Sequence, residues 1–186
     1  MSTIMSTQSA EQLLQDMMTQ YCKPWLFVYP NMKKLSEVLT LLFDQQKLHI
    51  LQQHYSGVRT PLHTAARWGH TEIIRLLLTS LQSSAHRLKL LMVDDNTPLH
   101  TAALIGRRES VKMILECLTA DQQIQIMSVQ RSGGETAIQW AKINRNTDTV
   151  RILTEYRHRA EQIQLQLQQQ KEEKRRLYQS LSGKMM

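Results

Sequence analysis

Seven histidines and two cysteines are the side chains of this 186-residue sequence best suited to chemistry near neutral pH. A catalytic or zinc-binding role would require them at defined spacings, or beside an acid. His63 and His100 hold the same place in two copies of one repeated phrase, so the scaffold accounts for both, and His70 belongs to the phrase as well. His49, His54, His86 and His158 show no H-E-x-x-H spacing and no evident aspartate partner. Cys22 and Cys117 stand far apart in no metal-ligand pattern, and Cys117 is expected to be a small core residue. No phosphate loop, dinucleotide fingerprint or G-x-S-x-G elbow occurs. These readings point away from an enzyme and imply neither metal nor cofactor.

The repeated phrase must position whatever this chain does. It runs from Thr60 to Leu78, returns from Thr97 to Leu115, and returns again, altered, from Thr136 to Thr154. A period of 37 and then 39 residues belongs to stacked repeats, in which one unit buries its apolar face only against its neighbours. Thr60 and Pro61 read as an N-cap and first helical residue. Leu62, Ala65 and Ala66 share one face of that helix, Gly69 ends it, and Thr71 is placed to cap the next. In the second helix Ile73, Ile74, Leu77 and Leu78 form the apolar stripe. Its counterparts are Ser110, Val111, Ile114 and Leu115, then Thr149, Val150, Leu153 and Thr154. Acid three residues before base recurs at Glu72/Arg75, Glu109/Lys112 and Asp148/Arg151, which supports the helices as scaffold.

The T-P-L-H-x-A-A…G-H-x-E signature closely resembles the ankyrin repeat. The resemblance implies an all-α solenoid of stacked helix–turn–helix units with short β-hairpin-like loops and a concave face. It also implies that Thr60 with His63, and Thr97 with His100, bond within and between repeats, and that Gly69 and Gly106 are turn residues. Copy three departs from the pattern, with Ala137 for Pro, Gln139 for His and Arg145 for Gly; there the neighbouring Asn144 is the residue that tolerates left-handed dihedrals. Such decay fits a terminal, capping repeat. Upstream, Glu37 to Phe43 aligns with Glu72 to Leu78, so residues 31–55 read as the second helix of a degenerate first repeat entered through Asn31. Stretches 44–51, 84–92 and 121–127 each predict an extra helical turn before the next loop.

The resulting organisation is an N-terminal helical or flexible extension (1–22) and a degenerate capping repeat (23–59). Ankyrin repeats follow over 60–155 (60–96, 97–135 and 136–155), then a basic, Gln-rich helical tail (156–186). Of the net charge of +7, the tail from residue 157 holds seven Lys/Arg against three acids. Positions 153, 156, 160, 163, 167, 170, 174, 177 and 181 form a heptad seam with polar Gln170 and Lys174 at its middle. It reads either as a coiled coil or as a solvated single helix whose root caps the last repeat. No secretory segment, glycosylation sequon or apolar run of about 18 residues is present, so a soluble, reduced, cytoplasmic (or nuclear) chain is expected.

A repeat surface acts by binding. The expected function is a non-catalytic protein–protein interaction module, an adaptor or scaffold with another protein as partner and no small-molecule substrate. By position, the contact residues would be Arg67, Trp68, Leu104, Ile105, Ile143 and Asn144 near the inter-helix turns, with Asp94 and Asp95 at a hairpin tip. The rivals are an oligomerising protein acting through residues 153–181, and a fragment or small relative of a larger ankyrin-bearing receptor or channel. Nucleic acid is disfavoured, because two acids interrupt Lys171 to Arg176 and no aromatic ladder accompanies it.

Overall fold

Thr60-Pro61 and Thr97-Pro98 each start a helix that Gly69 and Gly106 stop after eight residues. The structure, a computed structural model, describes residues 7–23, 30–55 and 59–182. The 25–29 stretch, the Gly57 turn and Gly183 lie outside the described residues. In chain order the helices are α1 (Thr7–Tyr21), α2 (Met32–Thr40), α3 (Asp44–Leu51), α4 (Pro61–Trp68), α5 (Thr71–Thr79) and α6 (Ser84–Leu91). They continue with α7 (Pro98–Ile105), α8 (Arg108–Glu116), α9 (Ala120–Ser128), α10 (Ala137–Ile143) and α11 (Thr147–Ser182).

Like helices pack on like. α4, α7 and α10 form one row, α5, α8 and the start of α11 a second, and α3, α6 and α9 a third. The predicted extra turn is therefore a whole third helix of eight or nine residues in the degenerate repeat and in the first two copies. Polar side chains tie this third row together. The Asp44 carboxylate accepts from the Gln82 and Ser83 amides just before α6, and Gln122 Nε2 donates to the Ser84 carbonyl. Burial raises the Asp44 pKa, but the bonds from His86 and from the Ser83 and Gln82 amides outweigh it and hold the carboxyl below its ordinary range. The core runs between the rows. Ala65, Ala66, Ala102 and Ala103 are wholly buried and let neighbouring backbones approach, while Ile73, Ile74, Leu77 and Leu78 fill the stripe. Each such Leu or Ile contributes about 1.5–3 kcal/mol on burial.

Asn31 caps α2 as expected, its side chain accepting from the Lys34 amide. The register of the degenerate repeat is shifted by one helical turn from the sequence alignment. Leu35, Val38, Leu39 and Leu42 are buried, whereas Phe43, aligned with a core leucine, is 75% exposed. The stripe spacing, and not the acid at Glu37, sets the helix face. α1 buries Ala10, Leu14 and Met18 and packs on α2 and α3, closing that end.

At the other end α11 is a 36-residue helix. Thr149 and Leu153 are buried as expected, but Ile152 takes the burial assigned to Thr154, which is exposed. The helix is turned toward α9 as well as α8, against both of which it packs. Ala160 is wholly buried, Tyr156 Oη donates to Glu116 at 2.9 Å, and Gln164 Nε2 donates to Asp121 at 2.6 Å. The first three positions of the heptad seam are thus spent inside the molecule. From Leu165 to Arg176 every residue is exposed, and this part of the helix extends clear of the repeats.

Candidate functional site

The first-row helices α4 and α7 bury their first six residues and expose their last, whereas α10 buries only Ala137 and Ala141. In α4 and α7, Pro61–Ala66 and Pro98–Ala103 are buried, while Trp68 and Ile105 are 39% and 36% exposed. Trp68 and Ile105 hold one repeat position, with Asn144 as its counterpart, and Ile143 beside it is 64% exposed. Arg67 and Leu104 are half-buried, and the Arg67 guanidinium lies 5.8 Å from the Trp68 ring. The structure thus aligns these six residues along one edge of the stack, at the inter-helix turns.

The turns are held by a ladder that sequence reading missed. Gly69 and Gly106 are left-handed, with φ of 79° and 76°. The helix that follows begins one residue earlier than Thr71 as cap would require, with His70 and Arg107 in the N-cap position. Neither side chain caps its own helix; each reaches back instead. His70 Nδ1 meets the Tyr21 hydroxyl at 2.9 Å, and Arg107 Nε donates to the Arg67 carbonyl at 3.0 Å. Asn146, at the equivalent place, donates to the Ala103 and Leu104 carbonyls at 2.8 and 2.9 Å. A Cβ on Gly106 would stand 2.8 Å from Asn146 Oδ1, so this glycine serves close approach as well as dihedral. In copy three Arg145, not Asn144, takes the left-handed conformation at φ 56°. The bond pattern at the turn demands that position whatever residue fills it. The only signal for the ladder was a polar residue directly after each turn position, with a different chemistry each time.

Asp94 and Asp95 lie at the opposite ends of the first-row helices, about 12 Å away for eight residues at 1.5 Å each. They tie neighbouring loops together. Asp94 Oδ2 is 2.8 Å from His54 Nε2, and the Ser132 hydroxyl donates to Asp95 Oδ2 at 3.4 Å. His54 therefore has an aspartate partner, as does His86 through Asp44 at 3.0 Å. The sequence expectation that neither has one is corrected; the pairs span 40 and 42 residues and become neighbours only by stacking.

The two motif histidines are structural. Thr60 Oγ1 and His63 Nδ1 are 2.8 Å apart, and Thr97 Oγ1 and His100 Nδ1 are 2.9 Å apart. His63 Nε2 donates to the Asn96 carbonyl in the loop that leads into the next repeat, so the Thr60 hydroxyl must donate to Nδ1. Burial holds both imidazoles below their ordinary pKa, which favours their neutral forms. Gln139, replacing the third histidine, forms a capping box with Thr136 instead. Cys22 is buried and its thiol pushed up to about 11 by that burial, an inert environment. Cys117 is half-buried at the end of α8, against the expectation of a core position. Among the described residues no cluster of three His, Cys, Asp or Glu side chains could hold a metal ion. No described helix is long and apolar enough to cross a membrane.

Two shallow grooves separate successive turns. One of about 300 Å³ is lined by Trp68 and Gly69 of one turn and by Gly106 to Ser110 of the next. The next, of about 360 Å³, lies between Gly106 and Arg108 and the turn from Arg145 to Thr149.

Comparison with known proteins agrees with this architecture. The family model of ankyrin repeats in three copies matches residues 28–126. No match is found among curated protein sequences. Among solved structures, the chain is similar to one in the crystal structure of the yeast ribosomal protein Rps3 in complex with its chaperone Yar1. The likeness covers 78% of this chain and 90% of that one, with 18% identity and a TM-score of 0.54, and is a likeness of fold. With the repeat motif, the stacked three-row geometry and a family match over more than half its length, the chain belongs to the ankyrin-repeat family.

Proposed function

We propose that this ankyrin-repeat chain, a protein-interaction module by family, is a non-catalytic adaptor or scaffold. It binds a partner protein through its concave face, with the turn-end row of Arg67, Trp68, Leu104, Ile105, Ile143 and Asn144 as the main contact and the Asp94–Asp95 tip as a secondary one. One observation carries the reading: large apolar side chains recur exposed at one repeat position, Trp68 and Ile105, on helices otherwise buried. Partly exposed Trp and Arg side chains are the kind that dominate interface energetics. The test is affinity capture of partner protein by the full chain and by Trp68→Ala and Ile105→Asp, with folding verified by circular dichroism. Loss of the captured partner in both is expected; retention by both folded variants removes the turn-end row from the account.

A second reading rests on α11. Ile163 and Leu167, one turn apart, are 39% and 45% exposed on the projecting part of the helix. They would serve self-association or a partner helix. Sedimentation of the full chain against a chain ending at Leu165 decides this reading, and a monomer in both eliminates it.

A further inference from the structure

Beyond Gln164 the long α11 helix leaves the stack, and every residue from Leu165 to Arg176 is exposed. Apolar residues nevertheless continue along its seam. Ile163 and Leu167 are 39% and 45% exposed, and the same spacing of three and four runs on through Gln170, Lys174, Leu177 and Leu181. Read from either end, these six positions give one order: two apolar, two polar, two apolar. A seam of this pattern is complementary to itself reversed.

Antiparallel pairing of two copies, centred between Gln170 and Lys174, sets Ile163 against Leu181 and Leu167 against Leu177 of the second copy. Gln170 then faces Lys174 of the second copy, where its side-chain carbonyl accepts from the ammonium, and the two-fold axis repeats that pair. Parallel pairing in register would instead set Lys174 against Lys174, like charges within the seam. It would also need space that is taken. Leu153 and Ala160, earlier on the same seam, are wholly buried where α11 packs on α8 and α9. Tyr156 and Gln164 are bonded there to Glu116 and Asp121. A parallel second helix would have to enter the place of α8 and α9, whereas an antiparallel one carries its own stack past Leu181.

We infer that α11 forms an antiparallel dimer, in which residues 163–181 of two copies pair along this seam. The inference rests on the second reading of α11 and adds to it the occupant, a second copy, and its direction. One repeat stack stands at each end of a paired segment about 27 Å long, so the dimer is bivalent. Beside the seam, Lys171 approaches Lys171 of the second copy on one flank, and Glu173 approaches Glu173 on the other. These like charges keep the association weak, and salt strengthens it by screening them.

The test uses the full chain. Sedimentation should show a dimer that forms as protein concentration rises and tightens with salt. Leu167→Asp, at an exposed position, should leave the fold intact and weaken the dimer about tenfold or more, because symmetry places the change in two layers. Direction is read by disulfide formation between Leu167→Cys and Leu177→Cys chains, each also carrying Cys117→Ser. The antiparallel seam sets residue 167 of one copy against residue 177 of the other. It holds the two residues 167 about 15 Å apart, beyond disulfide reach. Cross-linked dimer is therefore expected from the mixture and not from either variant alone. Cross-linking of Leu167→Cys with itself overturns the inference and leaves self-association through α11 standing. A dimer unchanged by Leu167→Asp places the contact elsewhere and overturns both. A dimer that salt weakens overturns the inference as well. So does a full chain that stays monomeric at every concentration, whether or not a foreign protein occupies the seam.

Discussion

The turn between α7 and α8 and the turn between α10 and α11 share one backbone plan, yet they fill it differently. The first uses Gly106 at φ 76°, with Asn146 of the following repeat packed over it. The second uses Arg145 at φ 56°, exposed, and among the described residues no first-row helix lies beyond α10. The histidine position repeats the contrast. His63 reaches the Asn96 carbonyl directly before Thr97 of the next repeat, whereas Gln139 turns back to cap its own helix. Motif residues persist where a following repeat leans on them and relax where none does. The signature is a record of contacts between repeats as much as of helix formation.

That contrast can be broken by mutation. Gly106→Ala carries the largest expected effect, about 3 kcal/mol, because a left-handed alanine is strained and its Cβ displaces Asn146 from two carbonyls. Arg145→Ala should leave chemical denaturation nearly unchanged. Next, His63→Ala is expected to cost about 2 kcal/mol by removing a buried bridge between repeats. Gln139→Ala should cost about 1 kcal/mol or less, the worth of a cap; equal costs for the two would end the distinction. Smaller still, Arg145→Gly should stabilise by about 0.5 kcal/mol, by relieving left-handed strain against the added entropy of the unfolded glycine.

Acid provides a gentler probe. Burial depresses the pKa of His63, His70 and His100, with the Arg107 charge adding to the effect at His70. Unfolded histidines take up protons as pH falls below about 6.5, while these three resist in the fold. Their contribution is complete above that pH and declines as pH falls through it toward the depressed folded values. Melting temperature should therefore drop on acidification from pH 7, and the drop should shrink in a His63→Gln, His100→Gln chain. A pH-independent melting temperature over that range would contradict the assignment of neutral imidazoles.

Much of this was legible because the repeat writes each contact twice. Thr60-Pro61 and Thr97-Pro98 announced helix starts, Gly69 and Gly106 the turns, and the paired Thr and His their bonds. What stayed hidden depends on the stack. His54 and His86 meet Asp94 and Asp44 only across repeats, and the back-reaching His70, Arg107 and Asn146 share a position without sharing a chemistry. The degenerate repeat misled by one turn because Leu41, Leu42 and Phe43 are consecutive apolar residues, of which only Leu42 is buried. Of the candidate site, the Trp68–Ile105 row could be placed from repeat position alone.

The proposed interaction face is tested most directly by comparing two exposed apolar residues in one capture experiment. Ile105 lies on the turn edge, and Phe43, 75% exposed, lies at the junction of α2 and α3. Folded Ile105→Asp should lose the partner protein while Phe43→Asp retains it. Retention by Ile105→Asp with loss in Phe43→Asp would contradict the account.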